Sequence, residues 1–248
     1  MDWYERWFGE EYLLVYQHRN VSEAESEIEA IRQLLEIGKG ERVLDLCCGP
    51  GRHDFPLAYA GCRIIGLDYS MPLLKQAMEA HPRECSYPYY ICGDARSVPF
   101  QDGIFDVILN LFTSFGYFKD DENRELVNTI SRLLKPGGRF FIDYLNPLRL
   151  QDNLVEETKR EIDGMEIIEK RRVDYLAKRI EKTILLQGEH HSQMFFESVR
   201  LYQKDEMLDM LTSAGLTVAA VLGDASGQPY NDDSSRMVFH GTKRETAQ

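Results

Sequence analysis

Val43-Leu44-Asp45-Leu46-Cys47-Cys48-Gly49-Pro50-Gly51 reads as a short buried strand running into a tight glycine turn. A continuous apolar run of this length, bounded by turn residues, is the pattern of a strand covered on both faces. Gly49 and Gly51 carry no Cβ, so a ligand can approach the backbone there. Upstream, Ser22–Glu36 has helical spacing: Ser22 and Glu25 form a capping box, Ile28, Ile31, Leu34 and Leu35 share a face, and Gly38 and Gly40 end it. Downstream, Arg63–Leu67 is a second strand. Ser70–Ala80 is a helix with Ser70 as N-cap and Pro72 in the first turn. Tyr89–Cys92 and Phe105–Asn110 are further strands, Glu122–Leu134 is a helix stopped by Pro136-Gly137-Gly138, and Arg139–Tyr144 is a fifth strand. Strands alternating with helices predict an α/β fold with a doubly wound, mostly parallel sheet.

After Pro147 the rhythm changes. Met165, Ile167, Val173 and Tyr175 alternate with Glu166, Lys170, Arg172 and Asp174, the period-two pattern of a sheet with one wet face, and Asp163-Gly164 before them is a hairpin signal. Lys178–Gln187 and Gln193–Tyr202 add two strands, Lys204–Ala214 is a helix ended by Gly215, and Leu216–Leu222 and Arg236–His240 are the last strands. The expected organisation is an N-terminal helical segment over 1–40, a ligand-binding domain over 41–146 and 201–248, and an antiparallel β insertion over 147–200.

The 248 residues hold 29 Lys and Arg against 41 Asp and Glu, a formal charge of −12. An acidic chain with no basic arm repels a phosphate backbone, which argues against a nucleic-acid partner. The stretch from Pro147 to Arg200 is nearly neutral, with 10 basic and 11 acidic residues. Met1–Glu11 is rich in Trp and Tyr and carries Asp2, Glu5, Glu10 and Glu11, unlike a signal peptide. No apolar run approaches the ~20 residues of a membrane span, so no membrane partner is expected. The five cysteines, Cys47, Cys48, Cys62, Cys85 and Cys92, include no Cys-x-x-Cys. They predict small buried thiols in a reducing, cytoplasmic setting rather than disulfides or a zinc cage. His190 and His191 would point to opposite faces of a strand, so no metal site is expected.

Three strand ends carry chemistry. The glycine turn follows the first. Asp68 ends the second, 17 residues beyond Gly51, where an acid accepts two hydrogen bonds from a ribose. Gly93-Asp94-Ala95 follows the third, where a carboxylate can receive an exocyclic amine. A dinucleotide fingerprint would need Gly or Ala three residues after Gly51; Asp54 stands there and would repel a pyrophosphate. The set describes an adenosine ligand without a phosphate and disfavours a nicotinamide dehydrogenase.

At these residues the sequence resembles the class I S-adenosylmethionine-dependent methyltransferases, from about Glu41 to Tyr144 and more loosely to His240. The resemblance lies in residues 43–52, Ile-Gly-Leu-Asp-Tyr-Ser at 65–70, Gly-Asp-Ala at 93–95, Phe-Asp-Val-Ile at 105–108 and Leu-Lys-Pro-Gly-Gly-Arg-Phe at 134–140, in family order. It departs at Cys47, where the family's Asp/Glu-x-Gly-x-Gly-x-Gly has its first glycine. The resemblance implies a Rossmann-like seven-stranded sheet and S-adenosyl-L-methionine as cofactor. Asp45 would fix the turn or hold the methionine amino group through water. Gly49 and Gly51 would line the methionine and ribose portions. Asp68 would take the ribose hydroxyls and Asp94 the adenine amine, with Tyr69 and Ala95 flanking the ring.

Asn110 to Tyr117 follows the fourth strand, over the sulfonium in this fold, and resembles a stretch of bacterial sugar N,N-dimethyltransferases; Asn110 and Phe112 would face the cofactor and Tyr117 the acceptor. At least one of the Phe112 and Phe115 rings is expected in the core. The resemblance to the small-molecule branch, which includes glycine N-methyltransferases, implies that Tyr16 on the N-terminal segment closes over the site. In that branch the insertion walls the acceptor pocket. Arg200 and Tyr202 either meet a substrate or form a sheet-edge salt bridge and a packed ring; Tyr230 and Asn231 are weaker candidates of the same kind. Asp143, His190 and His191 are candidate bases. The expected reaction is in-line methyl transfer to nitrogen or oxygen of a small-molecule acceptor. The alternatives are transfer to tRNA, rRNA or protein, and a non-catalytic module that binds the cofactor.

Overall fold

A computed structural model of the chain describes residues 2–17, 21–80, 86–189 and 192–245. Two short helices, α1 (Trp3–Trp7) and α2 (Glu10–Val15), and α3 (Val21–Leu34) precede β1 (Arg42–Leu46). Then follow α4 (Asp54–Tyr59), β2 (Arg63–Asp68), α5 (Met71–Ala80), β3 (Tyr89–Cys92), β4 (Phe105–Asn110), α6 (Asp120–Leu133) and β5 (Leu134–Leu145). The insertion comprises α7 (Pro147–Asp152), β6 (Glu157–Ile162), β7 (Met165–Asp174), β8 (Arg179–Gln187) and β9 (Ser192–Arg200), and the chain ends with α8 (Lys204–Ser213), β10 (Leu216–Leu222) and β11 (Arg236–Lys243).

The main sheet has seven strands in the order β10-β11-β5-β4-β1-β2-β3. β1 to β5 pair in parallel, and β11 runs antiparallel between β5 and β10. The chain leaves β1 to one side for β2 and β3 and returns on the other for β4 and β5. This reversal opens a crevice at the carboxyl ends of the strands. Both faces of β1 are covered, which explains its unbroken apolar run. Leu44 and Leu46 pack with Leu126, Ile130 and Phe140 in one layer, while Val43 packs with Ile28, Ile31 and Val107 in the other.

Two local expectations change. Pro136-Gly137-Gly138 does not separate helix from strand; Leu134 already pairs with Phe105 and Arg139 with Val107, so the segment bulges within β5. Tyr175 does not extend the apolar face of β7, because the strand ends at Asp174, and its ring is 74% exposed. Asp163 and Gly164 form the expected turn, both with positive φ (50° and 76°). The expected cap at Ser22 lies outside the described side chains. Cys48 and Cys62 are buried, but Cys92 is exposed, and Cys85 lies outside the described residues. No helix among the described residues is long and apolar enough to cross a membrane.

The insertion forms a separate antiparallel sheet in the order β6-β7-β8-β9. Its inner face presents Ile167, Ile184, Leu186 and Phe195 to Trp7 and Val15. The N-terminal segment therefore lies between the two sheets. Trp7 is fully buried; its indole N–H donates to Glu197 at 2.5 Å, and its ring sits 4.9 Å from that of Phe195.

The glycine turn supplies a stability test. Gly51 has φ +68°, and a Cβ there would stand 2.3 Å from the Tyr90 hydroxyl. Gly51→Ala is expected to lower the unfolding free energy by about 2–3 kcal/mol through clash and backbone strain. Adding Tyr90→Phe should recover part of that loss in urea titrations. An unchanged midpoint for the single variant would refute the clash.

Candidate active site

A cavity of about 350 Å³ opens at the carboxyl ends of β1 to β4, lined by Asp45, Gly49, Asp68, Tyr69, Asp94 and Ala95 from the strand ends. Tyr4, Phe8, Tyr12 and Tyr16 close it from the N-terminal segment, and Phe112, Tyr117 and Phe118 from the loop after β4.

Asp68 organises the floor. Its two carboxylate oxygens accept the backbone N–H of Gly49 and of Ser70, both at 2.8 Å. Ser70 in turn caps α5, accepting Leu73 N–H at 3.2 Å, and donates its hydroxyl to Phe8 O at 2.5 Å. Burial raises Asp68 to about 6, although the backbone donors oppose the shift.

Cys47 adopts φ +67° where the resembled pattern has glycine. That conformation costs an L-residue about 1–2 kcal/mol. The N–H groups of Cys47 and Cys48 both donate to Leu67 O, at 2.7 and 3.1 Å, and so hold the turn onto β2.

Asp45 and Asp54 lie beneath the turn, both buried and near enough to hydrogen-bond each other through a retained proton, with the Tyr90 hydroxyl beside Asp54. Burial raises both carboxyls, and Asp45's charge raises Asp54 further. Such a pair keeps a proton that exposed carboxylates would release. Asp45 faces the cavity. Its environment also holds His53, which meets Glu27 at 3.0 Å, and Arg52, whose guanidinium lies 4.8 Å from the centre of the Phe112 ring.

The loop after β4 is held at both ends. Asp143 accepts Phe112 N–H at 2.9 Å on its carboxylate and Thr113 N–H at 3.0 Å on its carbonyl, which stabilises two consecutive residues with φ near +60°. Arg179 donates to the carbonyls of Gly116, Tyr117 and Phe118 at 3.0–3.1 Å. Phe115 is fully buried, so the core takes this ring and leaves Phe112 at the cavity. Tyr117 is held edge-on to Trp3 at 5.1 Å, and burial pushes its hydroxyl well above the usual tyrosine range.

A second cavity of about 600 Å³ lies between the insertion, α7 and the start of β11. It shares Phe8, Tyr12, Tyr16, Phe112 and Tyr117 with the first, so an aromatic partition separates the two. On its insertion side Glu197 accepts Tyr16 OH at 3.2 Å and pairs with Lys182 at 2.6 Å. Lys182 also hydrogen-bonds the Tyr16 hydroxyl.

A family profile described as a methyltransferase domain matches residues 43–138. The chain is 32% identical over 215 residues to the cypemycin N-terminal methyltransferase of a Streptomyces species, covering 80% of this chain and 82% of the relative. The chain belongs to the S-adenosylmethionine-dependent methyltransferases. The fold agrees with solved relatives. The CcbJ methyltransferase from Streptomyces caelestis aligns with a TM-score of 0.76 at 24% identity, covering 89% of this chain and 90% of that one. The sugar N-methyltransferase KedS8 from Streptoalloteichus aligns with a TM-score of 0.68 at 22% identity, covering 94% and 93%.

The cofactor of this methyltransferase is S-adenosylmethionine. The first cavity suits it: the buried Asp45 carboxyl lines a space where an ammonium can sit, and Asp68 stands one strand away as a further acceptor.

The structure does not bring every candidate residue to the cavities. Gly51 packs against Tyr90 and Ala77, so closeness to side chains rather than to a ligand demands its missing Cβ. Asn110 is buried and donates to Leu46 O at 2.8 Å, joining β4 to β1. Asp94 is in the wall, where Arg96 engages both its oxygens at 2.7–3.1 Å and holds the carboxyl below its usual range. Arg200 and Tyr202 line neither cavity. Arg200 is buried against Asp120 and Glu206, and Tyr202 OH donates to Asp120 at 2.7 Å, so they join the insertion to α6 and α8 as a salt bridge and a packed ring. Tyr230 bonds Asn146 at 3.1 Å and, like Asn231, lies outside both cavities. Asp143 commits its carboxylate to Phe112 and Arg236. His190 and His191 lie outside the described residues.

Sequence reasoning missed Glu197, Lys182 and Arg179. Glu197 left a signal: it shares the inner face of β9 with Phe195 and Val199 at period two, an acid where the pattern calls for an apolar residue.

The elevated Asp68 pKa makes stability depend on pH. Its folded value of about 6 exceeds the ordinary 3.8, so the native state binds the extra proton and stability falls as pH rises from about 4 through 6. Asp45 and Asp54 act in the same direction. Asp68→Asn should remove at most about 3 kcal/mol of that fall. Urea unfolding at pH 4 to 7 measures it, and an unaltered slope in the variant would refute the assignment.

Proposed function

We propose that this methyltransferase transfers the methyl group to nitrogen of a small-molecule acceptor held in the second cavity. The observation that carries this reading is the aromatic partition common to both cavities. A methyl donor in one chamber and a nucleophile in the other would meet at Phe112 and Tyr117. The second chamber has the volume usual for small-molecule sites. The names of two relatives, a cypemycin N-terminal methyltransferase and a sugar N-methyltransferase, support nitrogen as the acceptor atom.

The Asp68 carboxylate would accept the ribose hydroxyls and Asp45 the methionine ammonium, while Tyr69, Ala95 and Phe118 would enclose the adenine. S-adenosylmethionine supplies an electrophilic methyl on a positive sulfonium, with its own leaving group. The chain's task is alignment and exclusion of water. Phe8, Phe112 and Tyr117 would present aromatic faces and edges to the positive charge. The Tyr117 hydroxyl, kept protonated by burial, would orient the acceptor's lone pair. A neutral amine needs no further base; Glu197, with Tyr16 and Lys182, would take the proton released after transfer.

Labelled methyl transfer from S-adenosylmethionine into a metabolite extract, compared with total RNA and total protein, tests the acceptor class. Label in RNA alone would overturn the reading. Asp68→Ala should weaken S-adenosylhomocysteine binding about 10- to 150-fold, the equivalent of ~1.5–3 kcal/mol of charge-assisted hydrogen bonding. Tyr117→Phe should lower kcat at least about tenfold while S-adenosylhomocysteine affinity stays within about twofold. Equal losses in both quantities would place Tyr117 in cofactor binding instead.

A further inference from the structure

The charged lining of the second cavity is lopsided. Arg149, Arg171, Lys182 and Arg236 line it, with Glu197 the one acidic lining residue among those described. The surrounding carboxylates do not cancel this charge. Buried Glu169 is shared by Arg160 at 2.9 Å, Arg171 at 2.8 Å and Lys182 at 3.6 Å. Glu197 takes Lys182, and Asp143 takes Arg236 at 2.6 Å. The four lining cations and Arg160 thus meet these three carboxylates, with Glu27 a fourth acid acting on Arg236, and among the described residues Arg149 has no acidic partner: its guanidinium donates once, to Asp233 O at 2.9 Å.

The cations fall into two groups. Arg149 sits on α7, and Arg171 reaches Thr158 Oγ1 at 3.1 Å and Val155 O at 3.5 Å, just beyond the end of α7. Arg236 and Lys182 instead stand at the aromatic partition, Arg236 5.7 Å from the centre of the Phe112 ring and Lys182 at the Tyr16 hydroxyl. Glu197 stands there too, beside Tyr16. In a chain of net charge −12, four cations around one cavity do not follow from composition. Guanidinium groups with N–H donors to spare in a concave site favour an anion.

We propose that the second cavity binds an acceptor bearing an anionic group, a carboxylate or a phosphate, against Arg149 and Arg171, with its amine directed toward Glu197 and the partition. This assignment rests on the methyl-transfer reading above and adds the charge class of the substrate. The acceptor is bifunctional, and the anion-binding end sets which amine reaches the methyl group.

The test uses the full chain saturated with S-adenosylhomocysteine and ligand-observed saturation-transfer NMR. The probes are glycylglycine against glycylglycinamide, and glucosamine 6-phosphate against glucosamine. At least one anionic probe should bind about 10- to 100-fold more tightly than its counterpart lacking the anionic group; the pair showing the difference tells carboxylate from phosphate. Arg149→Met should reduce that preference to less than about threefold with unchanged S-adenosylhomocysteine affinity, and Arg149→Lys should retain part of it as a point charge. Arg149 donates one side-chain hydrogen bond among the described residues, from an exposed helix turn, so its substitution does not endanger folding. Equal binding of anionic probes and their counterparts, a preference that survives Arg149→Met, or no anionic probe binding at millimolar concentration would each overturn the proposal. Parallel assays with labelled S-adenosylmethionine separate it from the reaction reading. Arg149-dependent binding with no methyl transfer sinks the reaction assignment and leaves the anion site standing. Transfer to amines lacking the anionic group at the rate seen for anionic ones does the reverse.

Discussion

One carboxylate, that of Asp68, joins the parts on which the cofactor cavity depends. One oxygen holds the glycine turn through Gly49 N–H, and the other holds the entry to α5 through Ser70 N–H. Ser70 then reaches the N-terminal segment through Phe8 O. The glycine turn and the entry to α5 thus meet on one side chain, and the two backbone donors offset part of the cost of burying an acid there. Its elevated pKa is the measure of that cost, and the arrangement leaves a carboxylate facing a cavity where hydroxyl donors can relieve it.

The chemistry assigned to the two chambers requires a wall that does not move. The loop after β4 contains two successive residues in the left-handed region, Phe112 and Thr113, a conformation that an unsupported loop would relax. Asp143 on β5 and Arg179 on β8 hold it from opposite sheets. Phe112 and Tyr117 are therefore positioned by hydrogen bonds to their backbone, while their rings remain available to line both chambers. Trp7 fastens the other side of the wall, through its indole bond to Glu197 and its packing on Phe195.

Much of the main sheet is legible from local pattern. Tyr89–Cys92 and Phe105–Asn110 match the structure residue for residue, and β1 ends at Leu46 as its turn predicts. Asp45, Gly49, Asp68, Tyr69 and Ala95 could be assigned to one cavity because strand ends in a doubly wound sheet converge at a single edge. The readings that failed concern partners. Arg200 and Tyr202 are chemically suited to touch a substrate, and nothing local shows that Asp120, about 80 residues earlier, occupies both side chains. Asp94 does reach the cavity wall, and what the sequence did not show there is the guanidinium of Arg96 on both its oxygens.

The sequence by itself determined the order of the main-sheet strands, the glycine turn and the acids at the strand ends, because these depend on residue periodicity and on backbone demands within a few neighbours; it left α4, α7 and β6 unread. Only the tertiary structure decided that the N-terminal segment lies between the two sheets, that Glu197 and Lys182 meet Tyr16, and that four cations line the second cavity with one carboxylate. Those outcomes depend on contacts between residues up to 190 positions apart. Such contacts arise from how two sheets pack around a buried tryptophan, and no periodicity within either segment encodes them.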